Sequence, residues 1–216
     1  MDNVLNELKE GIRKFQTEIY PANAQLYVKA ASVAQEPAAL IITCADSRID
    51  PELITQSKPG ELFVTRNVGN IVPAYGEMMG GVSAVVEYAV SALKVRHVVV
   101  CGHTDCGAMK ALLTPGSTDA LPTVKAWLTN AHAALSVAES LSDAKENASE
   151  RLRRMTQENV LLQLQHLRTH PSVAGAMARN ELTLSGWVYN IGTGEVLIAE
   201  NGERAFLPVA VQGAAA

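Results

Sequence analysis

The sequence lacks long uncharged runs: its longest stretches free of Asp, Glu, Lys and Arg are 13 residues, Ala126–Ala138 and Leu182–Gly194. A membrane-spanning helix needs roughly 18–20 apolar residues, so none is expected. Basic blocks are also missing. No Lys/Arg run is longer than Arg153-Arg154, and 18 basic against 22 acidic residues give a net charge of −4. That balance argues against nucleic acid or an anionic membrane surface as a partner and leaves a small substrate. The start, Met1-Asp2-Asn3-Val4-Leu5-Asn6-Glu7, has neither the basic nor the apolar region of a secretory signal, so a cytoplasmic location is the expectation. Cysteine is scarce. Cys44, Cys101 and Cys106 are an odd set, which suits a reducing compartment where thiols bind metal or react better than it suits a disulfide framework. What the chain does have is 48% hydrophobic and 19% charged residues over 216 positions, which excludes disorder, collagen and coiled coil and suffices for one compact domain.

We expect that domain to span residues 1–216, with a helical arm at 1–34, an α/β core at 35–120, and helices plus a β-hairpin at 121–216. Val4, Leu5, Leu8, Ile12, Phe15 and Ile19 recur at three- and four-residue spacing, predicting an amphipathic helix over 3–19 that Pro21 stops, and a second helix follows over 23–34. The period then changes. Ala38–Cys44, Glu61–Thr65 and Val95–Gly102 are apolar runs rich in β-branched residues and bounded by turn residues, the mark of buried parallel strands. Helical spacing over 80–93 and 107–113 separates and follows them, giving strand–helix–strand order with right-handed crossovers. Most of 122–170 is helical apart from a polar stretch over 140–150, and Leu182–Tyr189 with Glu195–Glu200 predicts a terminal hairpin. The tail from Val211 is expected to be loose. The fold class is therefore α/β: a central, mainly parallel sheet of about four parallel strands plus an antiparallel edge strand, flanked by helices.

Two of these strands end in reactive residues, Thr43-Cys44-Ala45-Asp46-Ser47-Arg48 and Gly102-His103-Thr104-Asp105-Cys106-Gly107. In open parallel sheets ligands bind at the carboxyl edge, so Cys44, Asp46, Arg48, His103 and Cys106 can share one crevice. Two thiolates and an imidazole select zinc over magnesium or calcium, and three protein ligands on a tetrahedral ion leave one position for water. Asp46 beside Arg48 supplies a carboxylate that stays ionised. It could orient a nucleophile on the metal or displace it and cap the ion. Cys101, between Val100 and Gly102, reads as an inert buried thiol, and His97, His132, His166 and His170 as surface or helix-face residues.

The pairing of Cys-Ala-Asp-Ser-Arg at 44–48 with Gly-His-Thr-Asp-Cys-Gly-Ala at 102–108 resembles the β-class carbonic anhydrases. The similarity extends to Pro59-Gly60-Glu61-Leu62-Phe63-Val64, Arg66-Asn67-Val68-Gly69-Asn70, Glu87-Tyr88 and Gly186-Trp187-Val188-Tyr189. The resemblance implies one zinc per chain held by Cys44, His103 and Cys106, with Asp46 and Arg48 as a catalytic dyad. In the plant-like branch it implies a substrate pocket of Gln35, Phe63 and Tyr88, with Gly107 beside it. Those pocket residues come from the partner subunit, which implies a homodimer that can pair again into a homotetramer. Phe63 and Tyr88 also read as ordinary core residues. The other branch carries Trp three residues before the first cysteine ligand; Ile41 stands there, so its bicarbonate switch is not expected. Ala45 and Asp105 depart from the commonest family wording.

The implied reaction is reversible hydration of carbon dioxide to bicarbonate and a proton, with anions and sulfonamides inhibiting at the zinc. Two thiolates cancel the charge of the ion, so its water is less acidic than under three neutral imidazoles and activity rises at alkaline pH. No histidine stands out as a proton shuttle. Carbonyl sulfide or carbon disulfide hydrolysis at the same site is one alternative. A non-catalytic thiolate zinc site, structural or redox-sensing, is another, and the open fourth position and the Asp46–Arg48 pair speak against it.

Overall fold

A computed structural model describes residues 2–77, 80–200 and 202–209. The chain begins with α1 (Asp2–Lys14), a wide π-type turn over Phe15–Ile19, α2 (Tyr20–Ala22) and α3 (Ala24–Ser32). Pro21 does not stop the helix where the periodicity predicts. It falls in the first turn of α2, directly after the wide turn, and the helix ends at Asn23 instead. Val4, Leu5, Leu8 and Ile12 on α1 stay exposed.

The rest of the chain runs β1 (Ala39–Cys44), α4 (Pro51–Thr55), β2 (Leu62–Asn67), α5 (Gly81–Glu87) continued by a wide turn over Tyr88–Ala92, β3 (His97–His103) and α6 (Gly107–Leu113). It continues through α7 (Pro122–Leu128), α8 (His132–Ser140), α9 (Ala148–Thr169), α10 (Pro171–Ala178), β4 (Thr183–Tyr189), β5 (Val196–Glu200) and β6 (Leu207–Pro208). Among the described residues six strands form one sheet in the order β2-β1-β3-β4-β5-β6. The first four are parallel, while β5 pairs antiparallel with β4 and β6 antiparallel with β5. The predicted tail from Val211 lies outside the described residues.

Leu40, Ile41, Ile42 and Thr43 are all buried, which explains why β1 reads as a continuous apolar run and not as an alternating one. One core gathers Leu40, Ile42, Val98, Val100 and Leu184 against Val160, Leu164 and Leu167 of α9. The helix sits close because Gly102 and Gly186 face it: a Cβ on either would come within 2.8 or 2.6 Å of Val160. Asn147 and Glu150 form a reciprocal capping box that ends the polar stretch and starts α9. A second cluster, with Ile49, Met109, Leu128 and Met155, packs around Cys44 and Cys106 at the carboxyl edge.

Sequence reading missed α4, α10 and β6. The first two carry legible signals, a proline at the first turn in each case and, for α4, the Asp50 side chain accepting from Leu53 N at 3.1 Å. The two residues of β6 are too short to show a period.

Candidate active site

β1 and β3 are parallel neighbours, with Thr43 opposite Cys101, so their last residues, Cys44 and His103, emerge side by side. The chain turns after His103 and brings Cys106 back at the foot of α6. The two sulfurs and an imidazole nitrogen lie within 4.8 Å of one another, and all three residues are buried. His103 Nδ1 is 2.8 Å from the carbonyl oxygen of Thr104, which can only accept, so Nδ1 carries the proton. That leaves Nε2 a bare lone pair, and it is buried with no hydrogen-bond partner among the described residues. An orphaned acceptor among two sulfurs is a costly arrangement for a folded chain unless a cation completes it. The donor set therefore fits a metal ion with three protein ligands.

The thiols are prepared for this. A hydrogen bond from the Cys106 thiol, with a further one from the Gly69 amide, outweighs burial and lowers the Cys44 pKa to about 4. The Gly69 N–H lies 3.4 Å from Cys44 Sγ. The Cys106 thiol is pushed up, first because it donates to Cys44 and then by burial. Cys101 conforms to its reading as inert: it is buried, and burial pushes its thiol up to about 12.

Asp46 and Arg48 follow β1 on the same edge. Arg48 grips Asp46 side-on, Nε donating to Oδ1 at 2.9 Å and Nη2 to Oδ2 at 2.8 Å, while the Arg48 amide donates to Oδ1 at 3.0 Å. The Arg48 guanidinium holds the Asp46 carboxyl well below the usual carboxylate range. Asp46 Oδ2 is 4.0 Å from His103 Nε2. Arg48 also reaches Asp105, whose carboxyl is lowered first by Lys110 and then by Arg48.

Several residues around the site were not singled out by sequence reasoning. Arg66 braces the strand end, donating to the carbonyls of Cys44 at 3.1 Å and Asp46 at 2.6 Å. The loop after β2 that carries Gly69 is pinned from α9: Asn159 donates to Gly69 O at 3.0 Å, Gln163 accepts from Val72 N at 2.8 Å, and His166 donates to Val72 O at 2.7 Å. His170, read as a surface or helix-face residue, is buried and donates to Pro73 O at 3.0 Å, which excludes the surface alternative. The helical spacing of Asn159, Gln163 and His166 on α9 is the one trace these residues leave in the sequence.

The predicted pocket residues fall elsewhere in the chain. Phe63 lies opposite Leu40, four residues before the level of Cys44 and Asn67, about 13 Å along the strands at 3.3 Å per residue. Its ring centroid is 5.9 Å from that of Tyr88, and Tyr88 is 49% exposed, which rules it out as a core residue. Gln35 is exposed just before β1, at the opposite end of the strand from Cys44. Gly107 does sit at the site, immediately after Cys106, with open space where a side chain would be.

A parallel sheet whose carboxyl edge holds two buried thiols, an orphaned imidazole nitrogen and an arginine-clamped carboxylate is the arrangement of an α/β enzyme with a site that could hold a metal ion. Comparison with known proteins makes this specific. Residues 39–196 match the carbonic anhydrase family, and the chain belongs to its β class. It is 48% identical to a carbonic anhydrase of Pseudomonas aeruginosa over 208 residues, 95% of this chain and 92% of that one. It is 45% identical to carbonic anhydrase 1 of Escherichia coli O157:H7, covering 95% and 93%. The β-carbonic anhydrase CcaA has the same fold, with a TM-score of 0.90 at 38% identity over 96% of this chain and 93% of that one. A Coccomyxa β-carbonic anhydrase solved with acetazolamide gives a TM-score of 0.76 at 34% identity, covering 91% and 86%. Two tetrameric enzymes from Sordaria macrospora are represented at a TM-score of 0.79 and 30% identity, covering 96% and 100%.

Proposed function

We propose that the chain hydrates carbon dioxide reversibly to bicarbonate and a proton, using a zinc ion held by Cys44, His103 and Cys106. The observation that carries this is the convergence of those three buried donors on a point beside Asp46, with His103 Nε2 left without a partner. When bound, the ion lowers the pKa of a coordinated water, so that a nucleophile is available in the working pH range.

The protein does the rest. The Thr104 carbonyl fixes the His103 tautomer that can ligate, and the Gly69 amide steadies the Cys44 sulfur. Asp46 stays ionised and offers an acceptor to the nucleophile's O–H, setting its attack direction. Both Asp46 oxygens are engaged by Arg48, which supports the orienting role over one in which Asp46 swings onto the ion. Gln35, Phe63 and Tyr88 serve the substrate from a second copy of the chain, since within one copy they lie toward the far end of the strands from Cys44. The exposed apolar residues of α1 provide a face for that pairing, and pairs can join into tetramers. Anions and sulfonamides compete at the metal. The three free cysteines suit a cytoplasmic setting. No helix among the described residues is long and apolar enough to cross a membrane.

The test is Asp46→Asn. Zinc content should stay at the wild-type level while turnover falls by about tenfold or more, the scale of losing a preorganised electrostatic contact. Normal turnover in that variant would refute the orienting role.

A further inference from the structure

Asp105 occupies the position of the second ligand motif that neither the metal donors nor the dyad uses. We propose that it is a positioning residue for the reaction: its carboxylate fixes the guanidinium plane with which Arg48 holds Asp46. This rests on the reading of Asp46 and Arg48 as the orienting pair.

The geometry assigns each edge of Arg48 to one aspartate. Nε and Nη2 are spent on Asp46, at 2.9 and 2.8 Å. At the adjoining end of the guanidinium Nη1 donates to Asp105 Oδ2 at 3.0 Å, and Nη2 also reaches the Asp105 carbonyl at 3.5 Å. Because the guanidinium is rigid and planar, holding both edges removes the rotation that holding one would leave. Arg48 is 44% exposed along its side chain, so without the second anchor it would sample other rotamers and carry Asp46 with it.

Asp105 is itself aimed by the frame. Its other oxygen accepts from Lys110. Its φ of +62° lies in the left-handed region, which Asp and Asn tolerate better than most residues. The turn is tied to β4 and the residues after it by its neighbour: Thr104 N donates to Tyr189 O at 2.9 Å, and Ile191 N donates to Thr104 Oγ1 at 3.0 Å. The order of support therefore runs from β4 to the Thr104 turn, to Asp105, to Arg48, to Asp46. An isolated pair this exposed would add little to stability. Shared with the dyad, it acts on where Asp46 sits.

Asp105→Asn and Asp105→Gly both accept the left-handed backbone, so they test the carboxylate and not strain. In zinc-loaded protein each should lower kcat/KM by about two- to fivefold, the scale of a partly exposed ion pair, with zinc content and Tm unchanged. In an Arg48→Lys background the same substitutions should cause no further loss, because one ammonium cannot grip two carboxylates. Independently of activity, NMR of metal-free protein should show faster solvent exchange of the Arg48 side-chain N–H groups in Asp105→Asn than in wild type. Undiminished kcat/KM, equal losses in both backgrounds, or unaltered Arg48 exchange would each overturn the proposal while an active wild type leaves the proposed function standing. An inactive zinc-loaded wild type would overturn the function itself, and this role with it.

Discussion

Replacing Gly69 with alanine strikes the loop that steadies the Cys44 sulfur. Gly69 has a φ of +82°, and a Cβ there would lie 2.9 Å from Ala108 Cβ and 3.2 Å from Met109 Cε. The left-handed backbone costs an alanine about 1 kcal/mol. Forcing a methyl into packed neighbours adds about 1–3 kcal/mol, for a total of about 2–4 kcal/mol. In a chain of this length each kcal/mol moves Tm by roughly 2–4 °C, so Gly69→Ala should melt roughly 4–16 °C below wild type. Gly60 is the matched control: its φ is +94°, and nothing lies within 4 Å of the Cβ it lacks. Gly60→Ala carries the backbone cost alone, about 1 kcal/mol or roughly 2–4 °C. Because the Gly69 amide contacts Cys44 Sγ at 3.4 Å, Gly69→Ala should also surrender zinc to a chelator faster, and Gly60→Ala should not. Thermal melts at one protein concentration, with zinc release followed by a colorimetric chelator, measure both effects. If the two variants melt together and release zinc at the wild-type rate, the packing and ligand roles given to Gly69 are wrong.

Alkylation and acid sensitivity follow from the site's electrostatics. In metal-stripped protein iodoacetamide should label Cys44, whose thiol is lowered to about 4 chiefly by the Cys106 hydrogen bond, well before Cys101, which burial pushes up to about 12. Zinc should protect Cys44, and peptide mass spectrometry showing equal labelling of the two would contradict this. The Asp46 carboxyl is lowered in the folded chain, chiefly by Arg48, so its contribution to stability is complete above the ordinary carboxyl value of about 4. That contribution is lost as pH falls through the lower folded value. Urea midpoints should therefore drop less steeply below about pH 4 in Asp46→Asn than in wild type, with parallel profiles above neutrality; identical acid limbs would refute it.

The reactive ends of β1 and β3 were legible because parallel strands are continuous apolar runs, and a polar residue at the end of one is conspicuous. Cys44, Asp46, Arg48, His103 and Cys106 could be placed on one edge from that pattern alone. Arg66 and Gly69 were not assigned roles, since what they contribute are hydrogen bonds to backbone or sulfur from a loop whose path only the tertiary structure fixes. Asn159, Gln163, His166 and His170 sit at helical spacing and look like an ordinary polar face, yet they bond the main chain or one another beneath that loop. Pro21 misled in the other direction: a wide turn ahead of it lets the helix run on to Ala22. Asp105 could be seen as a charge near the ligands, but which way it points depends on a left-handed turn that its residue type permits and does not dictate.

The most direct measurement is stopped-flow carbon dioxide hydration on protein of known zinc content, from near-neutral to alkaline pH, with dipicolinate-stripped protein as the blank. Activity that rises with pH and tracks one zinc per chain is the predicted result. A zinc-loaded chain that stays at the level of the blank across the whole range would contradict the account.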